Sequence, residues 1–169
     1  FVAPLPVSRP YLKGLIEKEH HCLRGALAQP DAALKVEFSN LKATAGSDLM
    51  SALRRAKRRV ALWTALCDLA GVWALEEVTE ALSKFADLAC QISLNHALKV
   101  QLQRGKIPTR KPETDPAGLG MFVLAMGKLG ANELNYSSDI DLICFFDESY
   151  FASVDVFEAR AGFIRATKN

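Results

Sequence analysis

The sequence contains no apolar run approaching the roughly 18 residues of a membrane-spanning helix, so no membrane-embedded segment is expected. Charge of one sign is also scarce: the net charge is +2. That is too small a bias to draw nucleic acid or an anionic membrane, and neither is expected as a partner. The four cysteines, Cys22, Cys67, Cys90 and Cys144, form no C-x-x-C pair, which argues against a zinc ribbon or a dithiol redox site. Most sit in apolar surroundings and read as small buried thiols of a reducing compartment. No secretory leader is expected, which makes the expected location cytoplasmic. What is present is ordinary for a soluble globular protein, with 50% hydrophobic and 24% charged residues. A length of 169 residues suits one domain, or one domain and part of another. The chain opens on Phe1 and stops at Asn169 within a helical pattern, so a piece of a longer protein is expected.

Residues 1–10 hold Pro4, Pro6 and Pro10 and should form an irregular lead-in. Residues 11–105 read as helices. The first runs from Tyr11 to Ala28 and is stopped by Gln29 and Pro30; Asp31 can cap a second, to about Ala43. A long third helix starts at Ser47 or Asp48 and ends at Gly71. Its apolar stripe is Leu49, Leu53, Ala56, Val60, Trp63, Cys67 and Ala70. A fourth, from about Ala74 to Arg104, repeats the spacing through Leu75, Val78, Leu82, Phe85, Ala89 and Ile92. The short turn between the last two predicts an antiparallel pair within a helical bundle. Residues 106–118, with Pro108, Pro112, Pro116 and Gly118, read as a linker. Beyond it the period changes. Met121 to Met126 and Ile140 to Phe146 read as strands, with a short helix or turn over Ala131 to Tyr136. A helix follows from Ser153, where Asp155 and Glu158 can form a capping pair. The fold class is therefore α+β, with an incomplete sheet in residues 119–169 whose open edge invites aggregation.

The two apolar strands bracket the most informative run of the chain, from Gly127 to Leu142. Side chains i and i+2 on a strand share a face, so Asp139 and Asp141 are expected to project together while Ile140 and Leu142 point into the core. Two carboxylates side by side call for cations, and magnesium is the usual one. Upstream, two common nucleotide motifs fail. Six residues separate Gly120 from Gly127 and Leu129 follows Lys128, which breaks the Walker pattern. Only Gly127 and Gly130 are in register for G-x-G-x-x-G. What remains is a glycine at a strand end, where backbone N–H groups can approach phosphate, followed by the positive Lys128. Ser137 and Ser138 either donate to a phosphate or turn the chain into the strand. The combination describes metal-assisted nucleotidyl transfer.

The string A-M-G-K-L-G-x-x-E-L-N-Y-S-S-D-I-D-L over residues 125–142 closely resembles the nucleotidyltransferase core of the bifunctional glutamine synthetase adenylyltransferase/adenylyl-removing enzymes. Glu133-Leu-Asn135 is more similar to the N-terminal, adenylyl-removing half. So are R-R-A-K-R-R-V-A-L from Arg54 to Leu62, Asp68-Leu-Ala-Gly71 and Glu76-Glu-Val-Thr79. The resemblance implies a helical bundle followed by the first strands and helices of a nucleotidyltransferase domain like that of DNA polymerase beta. It implies Asp139 and Asp141 as catalytic magnesium ligands, with Gly127, Lys128, Ser137 and Ser138 at the phosphates. The reaction implied is phosphorolysis of an AMP–tyrosine bond on glutamine synthetase, using inorganic phosphate and releasing ADP. The alternatives are the ATP-using adenylylating half and a non-catalytic module that binds nucleotide or glutamine synthetase. A PII-type regulatory protein is a candidate second partner. The family places a third carboxylate on a later strand, beyond residue 169. Asp147, Glu148, Asp155 and Glu158 are poor substitutes, so this stretch alone is not expected to be catalytically competent.

Other features read as structural. His20, His21 and Cys22 lack a second ligand cluster at a useful spacing. His96 falls on the apolar stripe of the fourth helix. The basic run Arg54, Arg55, Lys57, Arg58 and Arg59 is expected to be a solvated helix face. Trp63 and Trp73 should pack in the core.

Overall fold

The computed structural model describes residues 10–108 and 119–168. The predicted lead-in, apart from Pro10, and most of the predicted linker lie outside the described residues. Helices α1 (Pro10–Ala28), α2 (Pro30–Ala43), α3 (Leu49–Leu69) and α4 (Leu75–Gln103) come first. Strand β1 (Met121–Ala125), the single turn α5 (Gly127–Gly130), strand β2 (Leu142–Phe146) and helix α6 (Val156–Thr167) follow. The described chain is mostly helical with one two-stranded antiparallel sheet, an α+β arrangement.

The helix ends depart from expectation at three places. Pro10 belongs to α1 rather than to the lead-in, because a proline tolerates the first helical turn, whose N–H groups are unpaired. Gln29, not Asp31, is the N-cap of α2, with Pro30 at its first position and Asp31 in its first turn. Asp155 is the N-cap of α6, but its side chain makes no capping bond, so the expected Asp155–Glu158 capping pair is not formed. In α3 the stripe from Leu49 to Cys67 is buried as its spacing predicts, and only Ala70, at the helix end, is exposed. Leu75 is likewise exposed at the start of α4.

Compactness divides the chain within α4. One unit comprises residues 1–88 and 131–139, the other 89–130 and 140–169. In the helical unit the closest backbone approaches are among α1, α2 and α3. Phe85 of α4 meets the ring of Phe38 on α2. Trp63 and Trp73 are buried, as expected. The cysteine expectation holds for Cys67, which is buried, and fails for Cys144, which is exposed; none of the four is in a disulfide.

The basic run of α3 is only partly a solvated face. Glu19 of α1 is 2% exposed and accepts from Arg58 Nε at 2.8 Å and Arg59 Nε at 3.0 Å. Arg59 Nη1 also donates to Glu37 of α2 at 3.1 Å. One guanidinium thus joins three helices, and buried carboxylates demand such partners. Arg54, Arg55 and Lys57 are exposed, as expected.

In the second unit, β1 and β2 pair from Met121 opposite Phe146 to Ala125 opposite Leu142. Met121 and Phe146 pack with Leu98, Ile107, Leu119, Phe151, Ala159 and Phe163. The opposite face of the hairpin, with Phe122, Leu124, Ile143 and Phe145, is exposed, and Phe122 stacks on Phe145.

Burial works to raise the pKa of Glu19, but the bonds from Arg59 and Arg58 outweigh it and hold the carboxyl below its ordinary value of 4.5. A depressed carboxyl stabilises the fold fully above that value and loses its contribution as pH falls below it. Glu19→Gln should therefore lower the unfolding free energy at pH 7 by about 3 kcal/mol, the lower end of the cost of breaking a buried ion pair. In urea titrations its deficit against the unaltered chain should shrink as the pH is lowered to about 3.

Candidate functional site

The glycine turn is built where β1 stops. Gly127 has φ 56°, a left-handed conformation that costs other residues roughly 1–2 kcal/mol. Gly130 is required for a different reason: a Cβ there would collide with the carbonyl oxygen of Ala125. The Gly130 N–H donates to Met126 O at 3.2 Å and closes the single turn of α5. The Met126 N–H donates to Asp141 O at 2.9 Å, extending the ladder one step beyond the Ala125–Leu142 pair. The ladder thus brings Asp141 beside the turn, with its Oδ2 4.0 Å from where a Cβ on Gly127 would stand. Lys128 and Asp141 are both exposed.

β2 begins at Leu142, later than the predicted Ile140, so Asp139, Ile140 and Asp141 precede the strand. The expectation that Ile140 and Leu142 point into the core is overturned: they are 41% and 38% exposed. The physical reason is that Ile140 precedes the strand, so the two-residue alternation that would turn it inward is not in force there, and Leu142 is the strand's first residue.

Residues 131–139 belong to the helical unit. Leu134 is buried there, and its N–H donates to Ser83 Oγ at 3.1 Å. The Tyr136 hydroxyl donates to Asp68 Oδ2 at 3.4 Å. Burial, then the negative charge of Asp68, push the phenol well above its ordinary pKa. Asn135 Oδ1 accepts from the Ser137 N–H at 3.2 Å and the Ser138 hydroxyl at 2.7 Å. The Ser138 proton is therefore committed to shaping the turn that leads to the exposed Asp139. Sequence reasoning missed Ser83, Asp68 and Asn135 as supports. The available signal was a small polar residue, Ser83, directly beside Leu82 of the α4 stripe.

Two of the other acidic groups have local partners. Asp147 Oδ1 accepts from the Ser149 N–H at 2.9 Å; the Ser149 side chain first, and this N–H second, hold the carboxyl below its ordinary pKa, and Glu148 pairs with Arg160 at 2.5 Å. Glu19, His21 and Cys22 place three donor atoms within 4.8 Å of one another, the one such group among the described residues. Both oxygens of Glu19 already face guanidinium groups, which repel a metal cation.

A family model described as glutamate-ammonia ligase adenylyltransferase matches residues 4–167. The chain belongs to that family. Among curated relatives, the bifunctional glutamine synthetase adenylyltransferase/adenylyl-removing enzyme of Bradyrhizobium sp. (strain ORS 278) is 48% identical over 122 residues, covering 72% of this chain and 12% of that protein. The protein of the same name from Bradyrhizobium sp. (strain BTAi1) is 40% identical over 165 residues, covering 94% and 17%. That of Agrobacterium fabrum is 33% identical over 175 residues, covering 98% and 18%. The chain thus spans less than a fifth of the length of these adenylyltransferase relatives. No solved structure matches.

Gly130→Ala should destabilise this adenylyltransferase-family chain by about 1–3 kcal/mol, the cost of forcing a methyl group into filled space. Thermal melting checks this, and a melting curve like that of the unaltered chain would contradict the close approach.

Proposed function

We propose that this chain is the front part of an adenylyl-removing half, a helical bundle over residues 11–105 followed by the opening of a nucleotidyltransferase domain of the DNA polymerase beta type over residues 119–169. The parent enzyme removes AMP from a tyrosine of glutamine synthetase and so controls nitrogen assimilation. The observation that carries this reading is Asp141 on the sheet ladder beside the Gly127 turn, within the residues that the family model matches. The relatives' names include both adenylyl transfer and adenylyl removal. Glu133-Leu-Asn135 supports the removing half.

Inorganic phosphate attacks the phosphorus of the AMP–tyrosine diester. The bond to the tyrosine oxygen breaks, a bond to the phosphate oxygen forms, and ADP leaves while the phenolate takes a proton. Asp139 and Asp141 fit a hard divalent cation because both are exposed carboxylates with oxygen-only donors, and magnesium prefers such oxygen ligands with water completing its shell. Bound there, magnesium supplies charge neutralisation at the transferring phosphoryl group. Lys128 contributes a second positive charge next to Gly127, whose lack of a side chain lets phosphate oxygens approach the backbone. The third carboxylate of the family pattern is not assigned to Asp147 or Glu148, whose partners are local.

Asp139→Asn and Asp141→Asn in the full-length enzyme should each reduce phosphate-dependent ADP release from AMP-modified glutamine synthetase by at least about a hundredfold, with ATP-dependent modification intact. Loss of modification alone would assign the chain to the adenylylating half. Survival of both activities would make the aspartates structural.

A further inference from the structure

Residues 131–139 form no regular element, so no helix or sheet ladder fixes them. Their backbone groups still need partners where they are buried. Two helical side chains supply acceptors. Ser83 of α4 is 0% exposed, and a hydroxyl in that position costs stability unless it is bonded. It accepts the N–H of Leu134, 51 residues further on. Asp68 of α3 accepts the hydroxyl of Tyr136. Between and beyond these anchors, Asn135 Oδ1 holds Ser137 and Ser138. Every residue from Leu134 to Ser138 is therefore bonded to its surroundings or to its neighbours. The next residue is Asp139.

We propose that Ser83 and Asp68 are positioning residues for Asp139: by accepting Leu134 N–H and Tyr136 O–H they fix the backbone that delivers this carboxylate. The inference rests on the reading of Asp139 as a metal ligand. Burial of Leu134 alone would hold the segment near the helices without fixing its rotation. The two hydrogen bonds set that rotation, and the Asn135 turn passes it to Asp139. Helices that carry no ligand themselves thereby control how well a cation is held.

The test uses the 169-residue chain with Mn2+ as the probe, read by electron paramagnetic resonance, together with amide hydrogen exchange over residues 135–139. Ser83→Ala should weaken Mn2+ binding about tenfold and speed that exchange by a similar factor, as expected for one buried N–H left unpaired. Ser83→Thr, which keeps the hydroxyl, should restore both. Tyr136→Phe removes one partly exposed hydroxyl and should weaken Mn2+ binding about two- to threefold. A folded Ser83→Ala chain with unaltered affinity and exchange would overturn the proposal. If Ser83→Ala does not fold, Tyr136→Phe decides on the same two readouts. If Asp139→Asn and Asp141→Asn bind Mn2+ as the unaltered chain does, the metal reading of the aspartates fails, and the exchange rates alone decide the positioning role.

Discussion

A backbone that joins no ladder must be fixed by side chains, and residues 131–139 are such a backbone. Their conformation depends on a hydrogen bond made in the absence of water, from Leu134 N–H to the Ser83 hydroxyl. An unmade bond of that kind costs far more than a made one contributes, because the donor has no solvent to return to. Asp141 is held differently. Its carbonyl accepts from Met126 as the last step of the β1–β2 ladder. The two aspartates of the motif therefore owe their positions to different kinds of bond, one to side-chain acceptors on helices and one to sheet pairing.

The helical unit has its own organising charge cluster. Glu19 and Glu37 are buried, and Arg59 binds both. Three helices that share one guanidinium cannot rotate or slide independently without leaving a carboxylate unpaired, which is more costly than the pair is favourable. One of the three, α3, supplies Asp68, and α4 supplies Ser83. Rigidity in the bundle thus reaches the segment that leads to Asp139.

Much of this was legible in the sequence. Heptad-like spacing in α3 placed six of its seven stripe residues in the core, because a long amphipathic helix has one way to hide its apolar face. The glycines at 127 and 130 marked the turn, and the structure assigns them separate reasons, a left-handed backbone and a close approach to Ala125. What was not legible depends on partners distant in the chain. Nothing near Arg58 or Arg59 announces Glu19, some forty residues earlier, so the run reads as a solvated face. The alternation of Asp139, Ile140, Asp141 and Leu142 predicts a strand with an inward face. An inward face requires a covering layer; Met121 and Phe146 have one, whereas Ile140 and Leu142 meet solvent. Ser83 did not stand out because its partner, a main-chain N–H, has no sequence signature.

The central claim, phosphorolysis at the aspartate pair, is tested most directly by the fate of labelled orthophosphate. The full-length enzyme is incubated with AMP-modified glutamine synthetase, magnesium and 32P-labelled inorganic phosphate, and the nucleotide products are separated. The account predicts label in the β-phosphoryl group of ADP, in an amount equal to the tyrosine freed. Release of unlabelled AMP, or no removal of AMP at all while ATP-dependent modification proceeds, would contradict it.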